Sequence, residues 1–231
     1  MTVRYRLLSP VLFLGFFLTT ANVSAQTGAE LVQEKCIACH SVSPLKLTEP
    51  GRMEQKGPAL GYAGTKYRRD WIVKWLQEPT RIRPGGMFAG NHTVVTDEGD
   101  FIDDKTLSEH ITVSSEEAIG IADYLMTLTA NPDLVTNGEY TPKKVSHKMA
   151  AMNFNKFKGC SSCHQDQEGI GGVSGPELYS AYTRLNPDFI VSFIRNPVAW
   201  DDISLMPHIE LKDKEIYKLV HYLKLISGEK Q

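Results

Sequence analysis

Two copies of one five-residue string hold the residues best equipped for chemistry: Cys36-Ile37-Ala38-Cys39-His40 and Cys160-Ser161-Ser162-Cys163-His164. Cysteines three apart lie on one helical turn, so both thiols reach one edge of a flat cofactor while the following imidazole points across its face. Two thioether bonds to haem vinyl groups and one axial nitrogen on the iron are what a C-x-x-C-H unit supplies. The motif therefore predicts two covalent haem c groups, attached through Cys36 and Cys39 and through Cys160 and Cys163, with His40 and His164 on the irons. All 4 cysteines of the chain are spent in this way. A thioredoxin-like redox pair leaves the duplicated histidines unexplained, and a four-cysteine zinc site wants its pairs closer together.

A haem that moves electrons without binding small molecules needs a sixth ligand. Met206, in Leu205-Met206-Pro207, is the candidate for the second iron, and the flanking proline stiffens its loop. Met87, in Pro84-Gly85-Gly86-Met87, is the matching candidate for the first, where the glycines are expected to let the backbone approach the haem edge. Met53, His92 and His110 lie in irregular segments of the same half and compete with it. His147, His208 and His221 are read as surface or neighbouring residues rather than ligands. Arg81, Arg83 and Lys66 are weaker candidates for the propionates of the first haem.

The elements that position these groups recur. Gly57-Pro58-Ala59-Leu60 matches Gly175-Pro176-Glu177-Leu178, and at the same offset Trp71-Ile72-Val73-Lys74-Trp75-Leu76 matches Phe189-Ile190-Val191-Ser192-Phe193-Ile194. Pro79 falls on Pro197, Met87 on Met206 with a one-residue gap, and Ala118, Ile121, Ala122, Tyr124 and Leu125 on Ile216, Leu219, Val220, Tyr222 and Leu223. Blocks recurring in the same order predict a duplicated domain. Helices are expected to lead into each cysteine motif, from Gly28 to Cys36 and from Lys148 to Gly159. Ser114 with Glu117 has the form of a capping box opening a helix, and Asp213 to Ile226 carries the same apolar stripe. Asn186-Pro187 reads as a cap followed by proline at the first helical position, and Pro79 and Pro197 as stops for the preceding helices. The paired aromatics Trp71 with Trp75 and Phe189 with Phe193 are expected on a core-facing helix side.

Residues 1–25 read as a secretory signal, with Arg4 and Arg6 ahead of an apolar run and Val23-Ser24-Ala25 before the cleavage point. That run is shorter than the roughly 20 residues of a spanning helix. Cleavage removes Arg4 and Arg6, so 25 basic residues fall to 23 against 27 acidic, and no basic stripe suits nucleic acid. The expectation is an exported, periplasmic protein without a stable membrane span. Its first domain is placed at 26–130, its linker at 131–147 and its second domain at 148–231. The first half carries an insert, residues 88–113, in which Thr93 to Thr96 and Phe101-Ile102 flank an acidic turn, the pattern of a small β-hairpin. Its acidic residues are read as solvated surface rather than a docking site for a basic partner.

With cysteine motif, glycine-proline pair, loop methionine and closing helix, each half resembles a class I cytochrome c domain. The resemblance implies a mainly α fold: two tandem domains of a few helices wrapped around a covalent haem, apart from the linker and insert. It also implies that the carbonyls of Pro58 and Pro176 orient the axial histidines, and that first and last helices cross near Tyr124 and Tyr222. The expected function is single-electron transfer between redox protein partners, one haem with histidine and methionine ligands per domain. The rival readings are a cytochrome subunit of a larger membrane or periplasmic oxidoreductase, and a dihaem peroxidase or sulfur-compound oxidoreductase with one open iron.

Overall fold

The computed structural model describes Met1 and residues 26–43, 49–142 and 145–228. The expected signal peptide therefore lies outside the described residues except for Met1. The fold is mainly helical. In the first half, α1 (Gly28–Lys35) leads into the first cysteine motif and is followed by α2 (Glu49–Glu54), α3 (Ala63–Lys66) and α4 (Arg69–Trp75). The insert folds as the expected hairpin, β1 (Thr93–Val94) antiparallel to β2 (Phe101–Ile102), before the closing helix α5 (Ser115–Met126).

In the second half α6 (His147–Met152) runs into a wider π turn, Asn153–Phe157, just ahead of the second cysteine motif. Then come β3 (Gln165–Gln167) and β4 (Ile170–Gly171), a second hairpin that the sequence pattern did not suggest. The chain closes with α7 (Ala181–Arg184), α8 (Pro187–Arg195), α9 (Pro197–Trp200) and α10 (Asp213–Ile226). Among the described residues no helix is long and apolar enough to cross a membrane.

Local chemistry explains the ends. Thr27 and Ser114 each form a reciprocal capping box, with Glu30 and Glu117, which satisfies donors that a helix start leaves open. Asn186 caps α8 through its side chain, with Pro187 in the first turn. Pro197 does more than end α8: it opens the short helix α9, which buries Trp200.

Each half builds its own apolar centre. Leu31 and Val32 of α1 meet Ile72 of α4 and Ile121, Ala122 and Leu125 of α5. In the second half Ile190 and Val191 of α8 meet Ile216, Val220 and Leu223 of α10, while Phe154 packs on Leu219 and Tyr222. The crossing of α1 and α5 is tightest at Gly28, where a Cβ would come within 1.9 Å of the Gly120 carbonyl oxygen. Tyr124 lies at that crossing, as expected, its Cβ 3.1 Å from the same point.

A third cluster joins the halves: Ala59 and Tyr62 from the first, Phe189 and Trp200 from the second. Beside it the backbones trade hydrogen bonds, Arg68 N to Arg184 O at 3.0 Å and Asn186 N to Lys66 O at 2.8 Å, around an antiparallel bridge between Tyr67 and Leu185. Under the repeat Tyr67 corresponds to Leu185, Lys66 to Arg184 and Arg68 to Asn186, so equivalent positions meet across a local two-fold arrangement. The connecting segment is packed, too. Gly138 N and Tyr140 N donate to the Asp188 carboxylate at 2.7 Å each, Glu139 pairs with Arg195, and Leu134 and Val135 lie against the shared cluster.

The two glycines at the α1–α5 crossing are predicted to respond with opposite signs. Gly28→Ala forces its methyl into the backbone and is expected to lower stability by about 1–3 kcal/mol. In Gly120→Ala the added Cβ finds its nearest neighbour, Leu31 Cδ1, at 3.6 Å, an ordinary contact, and the helix gains roughly 0.5–1 kcal/mol from the change. Denaturant unfolding of both variants separates the cases.

Candidate haem sites

The two cysteine motifs are built alike. Each turns on a backbone hydrogen bond from the histidine to the first cysteine, His40 N to Cys36 O at 2.9 Å and His164 N to Cys160 O at 3.1 Å. The first cysteine of each pair is half-buried and the second exposed, and none of the four forms a disulfide. Burial pushes the Cys36 and Cys160 thiols up, which keeps them protonated until they are used.

Both histidines are anchored by the same device. His40 Nδ1–H donates to the Pro58 carbonyl at 2.8 Å, and His164 Nδ1–H donates to the Pro176 carbonyl at 2.7 Å. A carbonyl only accepts, so the proton sits on Nδ1 and Nε2 carries the free lone pair. Burial lowers both imidazole pKa values, holding the rings neutral and ready to coordinate. The glycine before each proline is a space requirement: a Cβ on Gly57 or Gly175 would lie 2.5 Å from Cε1 of its histidine. Leu60 N to Ser41 O and Leu178 N to Gln165 O, each 2.7 Å, then tie the proline loops back to the motifs. Two thiols and one outward-facing imidazole nitrogen, repeated, are a donor set that fits haem c.

Met206 sits half-buried on a loop that the first half holds down. Arg52 of α2 pairs with Asp201, and its Nη2 donates to the Ile203 carbonyl at 2.9 Å. The loop that carries Met87 is in turn held by the second half, through Gly85 N to Val173 O at 3.0 Å and Glu177 N to Ile82 O at 2.7 Å. The glycines there also answer to packing between protein segments. A Cβ on Gly85 would lie 2.6 Å from the Val173 carbonyl oxygen, and Gly86, at φ +76°, packs against the His92 ring.

Between the two loops lies a cluster of cations that sequence reasoning missed. Arg184 is 4% exposed; its Nη2 donates to the Glu177 backbone carbonyl at 2.6 Å, and its Nε lies 3.5 Å from the Glu177 carboxylate. Arg83 stands among Tyr67, Arg184, Arg52 and Asp201, and burial lowers its pKa. Its charge, with that of Arg184, reaches His164 and depresses that imidazole further. Arg83 therefore lies on the side of the second haem site, not the first as the sequence suggested. Lys66 does reach the first, where its charge acts on His40.

The remaining histidines separate. His221 is buried at 6% exposure with Nδ1 unpartnered, which removes the surface half of its reading. His208 is exposed, and His147 packs against the ring of Tyr222 at 5.7 Å. His110 is brought to the first motif, its ring centre 6.1 Å from that of His40.

Comparison with known proteins adds a family to this geometry. Residues 147–223 match the model of "Cytochrome C oxidase, cbb3-type, subunit III". This stretch is similar to a cytochrome c domain. A curated relative, cytochrome c oxidase subunit 2 of Bacillus sp. (strain PS3), is 30% identical over 82 residues, which is 32% of this chain and 22% of that protein. The chain thus covers about a fifth of the relative's length. No solved structure matches. A cytochrome c domain implies covalently bound haem c, haem-based electron transfer and redox partners.

The buried Arg184–Glu177 pair is predicted to matter because each charge is otherwise stranded. Glu177→Leu leaves the guanidinium uncompensated beside Arg83 and is expected to cost about 3–5 kcal/mol, whereas Glu177→Leu with Arg184→Met recovers most of the loss. Urea midpoints of the haem-loaded variants provide the comparison.

Proposed function

We propose that the chain is an exported dihaem c-type cytochrome that passes single electrons between redox protein partners. The observation that carries this reading is the duplicated site: two Cys-x-x-Cys-His turns, each with its imidazole held through Nδ1 by a proline carbonyl. The haem irons, once bound, supply the Fe(III)/Fe(II) couple. The chain's residues set how that couple behaves. Pro58 and Pro176 fix the ring orientation and strengthen Nε2 as a donor, and the apolar centres around α1, α5, α8 and α10 exclude water. Met206 is assigned the sixth position on the second iron, where a thioether raises the potential and closes the site to other ligands. For the first iron the repeat points to Met87, and the structure brings His110 to His40 as a competitor.

A second reading, a cytochrome subunit of a terminal oxidase, is favoured by the matched family and relative, both described as parts of cytochrome c oxidases. Co-purification with a membrane oxidase distinguishes it from a freely exchanging carrier.

The carrier reading predicts that the exported protein takes up two electrons per chain in a reductive titration and that carbon monoxide leaves the reduced spectrum unchanged. In Met206→Ala the second haem is expected to bind carbon monoxide. Carbon monoxide binding or peroxide turnover by the unaltered protein would instead mark an open iron and an enzyme.

A further inference from the structure

We propose that His110 is the sixth ligand of the first haem iron, so that the first half binds its haem between two imidazoles while the second uses His164 and Met206. The inference rests on the dihaem reading above.

Three observations carry it. The first is distance. Two imidazoles on opposite sides of one metal, with metal–nitrogen bonds of about 2 Å, place their ring centres about 6 Å apart. The centres of His40 and His110 are 6.1 Å apart, with the ring planes at 57°.

The second is protonation. His110 Nδ1–H donates to the Ile111 carbonyl at 2.8 Å, as His40 Nδ1–H does to Pro58, so both rings carry their free lone pair on Nε2. His110 is exposed, so burial does not hold its ring. It is held by that carbonyl and by Trp75, whose ring centre is 4.5 Å away. Val113 N donates to Leu76 O at 3.1 Å and pins the segment to the end of α4.

The third is register. In the second half Met206 lies six residues and His208 four residues ahead of Lys212, the cap of α10. Counted back from Ser114, the cap of α5, His110-Ile111 fall on His208-Ile209 and Ser108 falls on Met206. The stretch leading into the closing helix therefore has no methionine in the first half, and the histidine that both halves share is the one beside the axial imidazole. His92 is engaged elsewhere, with Nδ1 on Thr106 Oγ1 at 2.9 Å and its other ring edge on Gly86.

The test uses the full dihaem protein. Electron paramagnetic resonance and near-infrared magnetic circular dichroism of the oxidised form are expected to show one bis-imidazole and one imidazole–thioether haem in equal amounts. His110→Ala is expected to turn the first haem high-spin, with added imidazole restoring the low-spin signal. His110→Met is expected to raise the potential of that haem. Met87→Leu should leave both signatures in place. Two imidazole–thioether haems, one of them lost in Met87→Leu, would overturn the assignment while leaving the dihaem reading intact. A haem content of one per chain would overturn the dihaem reading itself.

Discussion

Everything at the two sites depends on where one proton sits. An imidazole binds iron through a nitrogen that carries a lone pair, and a neutral ring has only one. The Pro58 and Pro176 carbonyls take the Nδ1 proton and thereby dedicate Nε2 to the metal. That placement demands a glycine before each proline, because any side chain there would collide with the ring it is meant to orient. It also demands that the proline loop be tied to the cysteine turn, which the Leu60 and Leu178 amides do. Helix packing serves this arrangement by keeping the rings half-buried and neutral.

The second theme is mutual support between the halves. Arg52 of the first half steadies the loop of Met206, and Val173 and Glu177 of the second steady the loop of Met87. Equivalent residues meet at Tyr67 and Leu185, and the cost of burying Arg184 is offset by Glu177. Such an interface concentrates positive charge beside His164, where Arg83 and Arg184 both act. Positive charge near an iron favours its reduced state, because that state carries one positive charge fewer. On the proposed dihaem reading the two irons would sit in different fields, the second beside the Arg83 and Arg184 guanidinium groups and the first beside Lys66 and a facing imidazole.

Much of this was legible in the sequence where a local rule sufficed. The cysteine motifs, the capping box of Ser114, the extent of α10 and the hairpin of the insert all rest on short-range spacing, and all appear in the structure. What escaped depends on contacts between distant segments. The β3–β4 hairpin lacks an alternating apolar pattern, since its strands are Gln165–Gln167 and Ile170–Gly171. Arg83 was assigned to the nearer haem in sequence, yet the two backbone hydrogen bonds that bracket it belong to the other half. The packing of the linker does not show in the sequence because its order comes from Asp188 and Arg195, about 50 residues away in the chain, and not from periodicity. Sequence spacing leaves His110 one of several competitors, and the fold singles it out by placing its ring beside His40. The signal was present in the register of His110-Ile111 and His208-Ile209 ahead of the closing helices, but the 26-residue insert masks it when the repeat is aligned from the front.

The central claim is that both halves bind haem, one per cysteine motif. Intact-mass spectrometry of the purified protein, followed by digestion and identification of the haem peptides, tests it most directly. The account predicts a chain heavier by two haem groups, with one on the peptide of Cys36 and Cys39 and one on that of Cys160 and Cys163. A chain carrying a single haem, or a pair of unmodified cysteines in either motif, would contradict it.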